Sequence, residues 1–386
     1  NFQNLSPALK QILLSYSKGV NFRLKEIQDQ GLGRGSPEFF FQSPEVTPWS
    51  PVDSLTILKF IEFMSSDKAL TEIKLTSLIF SSVLDDKIKH LISDPGLLRS
   101  KLDEVILNLR EQQFDEHKKD EYGSYNGFFT PPNAGFYSNV FAADSSRTAS
   151  KKSLLSTNLF LPLSSPSLWM LAHLNLNETS VVGATVPGIP IIFSGKNSKL
   201  AWGSSFSFVD DQDLYFEKIN SANKNEYLSP TGYKPFSNQK KLIKVKDNAT
   251  ISFAVKRTEN RVIIPHELYE MQSIVPDGFL VSLAWTGFKN KDKTLETFVN
   301  LMSAKSLDEI KTNMLQRNSF NLILVVADET EINSVFIGNS PKRKKENETK
   351  GQVITPGWKI ENQWRLDEKE EPKPFAGSKK NGLILN

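Results

Sequence analysis

A chain of 386 residues, 39% hydrophobic and 24% charged, has the composition of an ordinary folded globular protein, which excludes disordered and fibrous classes. Lys and Arg total 47 against 44 Asp and Glu, and a balance of +3 gives no reason to expect a nucleic-acid or acidic-lipid partner. No segment approaches the roughly 20 consecutive apolar residues of a membrane-spanning helix, and zero cysteines exclude disulfides, cysteine-ligated zinc and thiol catalysis together.

The first third reads as helix. Ser6 as cap and Pro7 at the first helical position precede Leu9, Ile12, Leu13 and Tyr16 at helical spacing. Ser50-Pro51 repeats the start signal, with Ile57, Leu58, Ile61 and Met64 as an apolar face, and the pattern continues over 69–84 and 96–112. Residues 113–134 carry charges, then Gly, Pro and Asn without apolar periodicity, and read as a linker. The period then changes: 137–142, 168–176, 181–193, 200–208, 251–255, 262–265 and 279–284 are short apolar or alternating runs bounded by turn residues, the pattern of strands. A helical pair at 294–304 and 306–315 interrupts, with Ser306 and Glu309 spaced as a capping box, before strands at 322–326 and 334–337. Helices, then many strands, then helices between strands indicate an α+β sandwich. The chain divides into a helical region (1–112), a spacer (113–137) and a strand-rich region (138–386).

Several chemistries lack their residues. The four histidines are His90, His117, His173 and His266, and none lies in a recognisable motif; His173, in an alternating strand, reads as a half-buried structural histidine. There is no Gly-x-Ser-x-Gly elbow, no His-Glu-x-x-His pair and no phosphate loop. The densest basic run, Pro341-Lys342-Arg343-Lys344-Lys345, has no interleaved aromatics and reads as a solvated loop. The alternative way to activate a hydroxyl nucleophile is the chain's own α-amino group, whose ordinary pKa of about 7.7–8.0 suits a base near neutral pH. That requires a cut just before the nucleophile. Ser138-Asn139-Val140-Phe141 follows the linker and opens the strand-rich region, where a cleavable junction is tolerated.

Downstream of Ser138 come Ser146-Arg147-Thr148-Ala149-Ser150, Leu154-Leu155, Ser165-Pro166-Ser167-Leu168-Trp169, Val186-Pro187-Gly188-Ile189-Pro190 and Gly195-Lys196-Asn197. Leu200-Ala201-Trp202-Gly203 and Asp210-Asp211-Gln212-Asp213-Leu214-Tyr215 follow. In order and approximate spacing this resembles the start of the β-subunit of the penicillin acylase family. Gly19-Val20-Asn21 and Pro48-Trp49-Ser50-Pro51-Val52-Asp53-Ser54-Leu55 are similar to its α-subunit.

The resemblance implies an N-terminal-nucleophile hydrolase, a four-layer αββα sandwich made as a precursor that cuts itself between Tyr137 and Ser138 into an α/β heterodimer. Ser138 is then the nucleophile for a small-molecule acyl amide. An oxyanion-binding backbone N–H maps to Phe206 or Ser207, and Phe160 and Leu161 fall where relatives line an apolar acyl pocket. Asp210 and Asp213 match carboxylates that bind structural Ca²⁺ in some members; hard oxygens from an acidic turn suit that ion, and the alternative is a turn of solvated carboxylates. Catalysis itself needs no cofactor. The implied location is periplasmic or secreted. Tyr137 replaces the family's usual glycine, and Phe160 replaces a polar side chain that orients the α-amine, so a non-catalytic member acting as a binding or structural protein is the alternative. The family's first strands have no counterpart before Asn1, and Gly382-Leu383-Ile384-Leu385-Asn386 resembles the strand leading into an Asn-rich segment that supplies a second oxyanion donor. The sandwich is therefore expected to be incomplete at both ends.

Overall fold

Helix α1 (Pro7–Gln30) starts where Ser6 Oγ accepts the Leu9 N–H, and α2 (Pro51–Met64) starts where the N–H and hydroxyl of Ser50 both donate to the Asp53 carboxylate. A short break leads to α3 (Lys68–Phe80). These elements belong to a computed structural model that describes residues 2–30, 46–66, 68–80, 137–160, 167–176, 179–207, 209–245, 247–288, 292–314, 318–347, 349–364 and 381–385. The linker 113–134 and the helical signal at 96–112 lie outside the described residues.

Strands β1 (Tyr137–Ala143) and β2 (Leu154–Phe160) pair antiparallel, and β1 also pairs with β17 (Leu383–Leu385), giving a three-stranded sheet. A six-stranded antiparallel sheet contains β3 (Met170–Leu176), β4 (Thr179–Thr185), β5 (Ser194–Lys196), β6 (Ala201–Phe206), β14 (Leu322–Ala327) and β15 (Ile332–Ile337), in the order β15-β14-β6-β5-β4-β3. A second six-stranded sheet has the order β10-β11-β12-β13-β7-β16. Its members are β7 (Gln212–Lys218), β10 (Ser237–Ile243), β11 (Ile251–Arg257), β12 (Val262–Ile264), β13 (Phe279–Trp285) and β16 (Thr355–Pro356). The hairpin β8 (Glu226–Ser229) and β9 (Gly232–Pro235) stands apart, and α4 (Thr294–Ser303) and α5 (Leu307–Met314) precede β14.

Strand β14 shows how the layers stack. Leu322, Leu324 and Val326 join one core with Leu9 and Leu13 of α1, Leu58 and Ile61 of α2, and Leu295, Phe298 and Leu301 of α4. The alternate residues Val325 and Ala327 pack on Val140 and Ala142 of β1. The period-2 alternation of a strand puts one set on each face, so the order is helices, six-stranded sheet, three-stranded sheet. The outward face of the last carries the exposed Phe141, Leu154 and Leu385. A separate core joins Ala69 and Ile73 of α3 to Leu214, Phe216, Val281 and Leu283 of the second sheet.

The motifs singled out in the sequence make contacts both within and between the helical and strand-rich parts. Asn21 accepts the Trp49 N–H (2.7 Å) and donates to the Trp49 carbonyl (2.8 Å). The Gly188 N–H donates to the hydroxyl of Tyr16 on α1 (2.9 Å). Trp202 is fully buried and its indole donates to the Ile192 carbonyl (3.1 Å). The expected strand 181–193 ends at Thr185, because Pro187, Gly188 and Pro190 turn the chain before β5 begins at Ser194. Strands β2, β5, β7, β10 and β16 and the pair β8 and β9 are additions to the sequence reading.

Candidate active site

Ser138 is the second residue of β1 and is buried. Its hydroxyl oxygen accepts a hydrogen bond from the Phe206 N–H at 2.8 Å, and its backbone carbonyl accepts one from the Ser205 hydroxyl at 3.2 Å. Both donors sit at the end of β6, against which the three-stranded sheet lies. The close approach depends on Gly203. A Cβ there would stand 2.8 Å from Thr157 Cβ and 3.0 Å from Val140 Cγ1, so any side chain pushes β1 and β2 off β6. Ser194 supports the same layer, taking the Ser204 N–H at 3.2 Å.

Of the two positions considered for the backbone donor, the Phe206 N–H points at Ser138, whereas the Ser207 N–H points to the Asn321 carbonyl at 3.4 Å. Pairing sets Tyr137 opposite Phe160 and Ser138 opposite Leu159, so the Tyr137–Ser138 peptide runs beside the backbone of Phe160. Leu161 lies outside the described residues, as do His90 and His117. His173 is exposed on β3, hydrogen-bonded to Ser180, with β4 and β5 between its strand and β6. His266 is half-buried in a 3-10 turn, where burial lowers its pKa.

The segment after β6 is fixed by buried carboxylates. Asp211 accepts from Ser66 Oγ (2.9 Å), Asn321 Nδ2 (2.9 Å) and Trp285 Nε1 (3.3 Å), and burial pushes its pKa up to about 6. Nearby, Lys59 Nζ donates to Glu62 and Asp292 (2.8 Å each) and lies over the Trp285 ring. Burial, and then the Asp292 charge, push Glu62 up to about 8.

Asp210 and Asp213 both face Arg343. Its Nη2 is 2.9 Å from Asp210 Oδ2 and 2.5 Å from Asp213 Oδ1, and its Nε donates to Asp213 Oδ2 at 3.0 Å. A calcium ion takes six to eight oxygens at about 2.3–2.6 Å. Here guanidinium nitrogens occupy the space between the two carboxylates, and Asp211 is turned to other donors, so the residues present do not fit that ion. Among the described residues no group of three or more His, Cys, Asp or Glu is arranged to hold a metal. The sequence reading of the 341–345 run as a solvated loop fails at Arg343, whose side chain is 15% exposed. Asn321 and Arg343 had no sequence signal, since each acts on residues more than 100 positions away.

The penicillin amidase family model matches residues 1–381. The chain belongs to the penicillin amidase family. It is 28% identical over 374 residues to the acyl-homoserine lactone acylase QuiP of Pseudomonas aeruginosa, covering 94% of this chain and 43% of that protein. It is 23% identical over 398 residues to penicillin acylase 2 proenzyme of Pseudomonas sp. (strain SE83), covering 100% of this chain and 48% of that protein. Among solved structures, a thermostable penicillin G acylase from Alcaligenes faecalis superposes with a TM-score of 0.54 at 20% identity, over 64% of this chain and 43% of that one. The α+β fold is therefore that of the penicillin acylases. The chain spans a little under half the length of these curated relatives.

Proposed function

We propose that the protein is an amide hydrolase that releases an acyl group from a linear amide, with Ser138 as nucleophile. A penicillin side chain, an acyl-homoserine lactone and a lipopeptide all present the required bond. The observation that carries the reading is the Phe206 N–H held 2.8 Å from Ser138 Oγ. A tetrahedral carbon built on that oxygen places its oxyanion beside the same N–H, and one such donor is worth about 100- to 1,000-fold in rate.

In this reading Ser138 Oγ first attacks the Tyr137 carbonyl carbon. The C–N bond breaks, an ester forms, and water hydrolyses it to leave Ser138 with a free α-amine. That amine, with an ordinary pKa of about 7.7–8.0, takes the hydroxyl proton through a water as Oγ attacks the substrate. It then protonates the leaving amine, and a second water frees the acid. Strand β17 runs antiparallel to β1 in the direction of Ser138, Leu383 opposing Ala143 and Leu385 opposing Phe141. The family's asparagine donor is expected in that direction. The two chains remain together as a heterodimer, and the location is periplasmic or secreted; no helix among the described residues is long and apolar enough to cross a membrane.

The test is the mass and N-terminal sequence of the full-length gene product. A new terminus at Ser138, abolished by Ser138→Ala, is expected, followed by hydrolysis of chromogenic phenylacetyl or long-chain acyl amides. A chain that stays intact for days refutes the proposal and leaves a non-catalytic member of the family.

A further inference from the structure

Arg343 comes from a basic run that composition assigns to solvent, yet its guanidinium is fixed between two carboxylates. We propose that Arg343 is a built-in counter-cation that takes the place of a divalent ion between Asp210 and Asp213, so that this chain folds and holds its shape without calcium.

The geometry is that of a fork on a carboxylate. Nε and Nη2 engage the two oxygens of Asp213, and the same Nη2 reaches Asp210, so one nitrogen bridges two acids as an ion would. Arginine suits the role because its planar donors stay charged when buried. A third acid completes the cluster: Glu72 is buried on α3, where burial and then the Asp213 charge push its pKa up, with one oxygen taking the Leu214 N–H at 2.9 Å. Lys68 adds a second positive charge near Asp210.

Space for the guanidinium is reserved by the backbone. Gly351 has φ +74°, and a Cβ there would collide with Arg343 Nε and Asp213 Oδ1. Both oxygens of Asp213 are already occupied by N–H donors, so a dication entering the same place meets a fixed positive charge at contact distance. The consequence reaches the candidate active site, because the residues between Phe206 and Asp213 are tied at one end to Asn321 and at the other to Arg343.

The test uses the full-length protein dialysed against EGTA, with thermal unfolding followed in chelator and in millimolar calcium, and calcium retention measured by equilibrium dialysis with radioactive calcium. Wild type is expected to melt at the same temperature in both buffers and to retain no stoichiometric calcium. Arg343→Ala is expected to melt several degrees lower in EGTA and to regain part of that loss in calcium, since the acids then face an empty place. Should Arg343→Ala fail to fold, Arg343→Lys keeps the charge without the fork, and its melting temperature is expected below wild type and insensitive to calcium. Stabilisation of wild type by calcium, stoichiometric retention of the ion, or wild-type stability of Arg343→Ala in EGTA overturns the proposal.

Discussion

Asn197, in the turn between β5 and β6, uses its whole amide. Oδ1 accepts the N–H groups of Lys199 and Leu200 at 2.8 Å each, and Nδ2 donates to the carbonyls of Met302 (3.2 Å) and Ala304 (2.9 Å). Both carbonyls lie at the C-terminal end of α4, where helical carbonyls lack partners within the helix. Asn197→Ala leaves two N–H groups and two carbonyls unpaired in a site only 8% exposed. At about 1 kcal/mol for each bond lost, the cost is about 3–4 kcal/mol, or roughly 5 °C in melting temperature for a chain of this size. Asn197→Asp separates geometry from charge. It keeps the acceptor but turns an oxygen toward two carbonyls at the negative end of the helix. At pH 7 it is expected to cost at least as much as Asn197→Ala, with part of the loss returning at pH 5 as the carboxyl gains a proton and becomes a donor. Thermal unfolding by circular dichroism at both pH values is the assay. Wild-type stability of Asn197→Asp at pH 7, or a cost below about 1 kcal/mol for Asn197→Ala, refutes the reasoning.

Three further outcomes follow from other sites. Glu62 is raised from 4.5 to about 8 by burial and the Asp292 charge. The fold favours its protonated form, so its contribution is full below pH 4.5 and lost as pH rises through about 8. Glu62→Gln should therefore gain stability relative to wild type as pH climbs from 5 to 9, with a ceiling of about 5 kcal/mol; a flat or opposite difference in denaturant titrations contradicts this. Gly203→Ala is expected to cost about 1–3 kcal/mol by overpacking against Thr157 and Val140, and, on the proposed function, to lower amide hydrolysis further by moving Ser138 from Phe206; unchanged melting and hydrolysis argue against that layer contact. Arg261 is paired with the buried Glu217 at 2.9 Å and lies over the Tyr215 ring. Arg261→Ala is expected to cost about 3–5 kcal/mol in urea unfolding by leaving that carboxylate unpaired, whereas Arg261→Met with Glu217→Leu should be close to neutral.

The sequence by itself determined the type of most elements, because α1 and α2 carry their own caps and α4, β6 and β14 their own periodicity. It also determined family membership, since motifs such as Asn21 with Trp49 and Gly195-Lys196-Asn197 are local signs of contacts that the fold requires. Strand β7 escaped because its charged positions, Asp213 and Glu217, look solvent-facing until Arg343 and Arg261 are brought to them. Tertiary structure alone decided which N–H faces Ser138. Successive N–H groups of a strand point to opposite sides, so choosing between Phe206 and Ser207 needs the pairing partner, and β14 lies more than 100 residues further along the chain. It alone decided that one arginine of a basic run is part-buried and held between carboxylates, because only those partners, about 130 residues distant, distinguish Arg343 from its neighbours. Local patterns encode secondary structure and capping; the charge and donor geometry of a site are set by residues that meet only when the sheets stack.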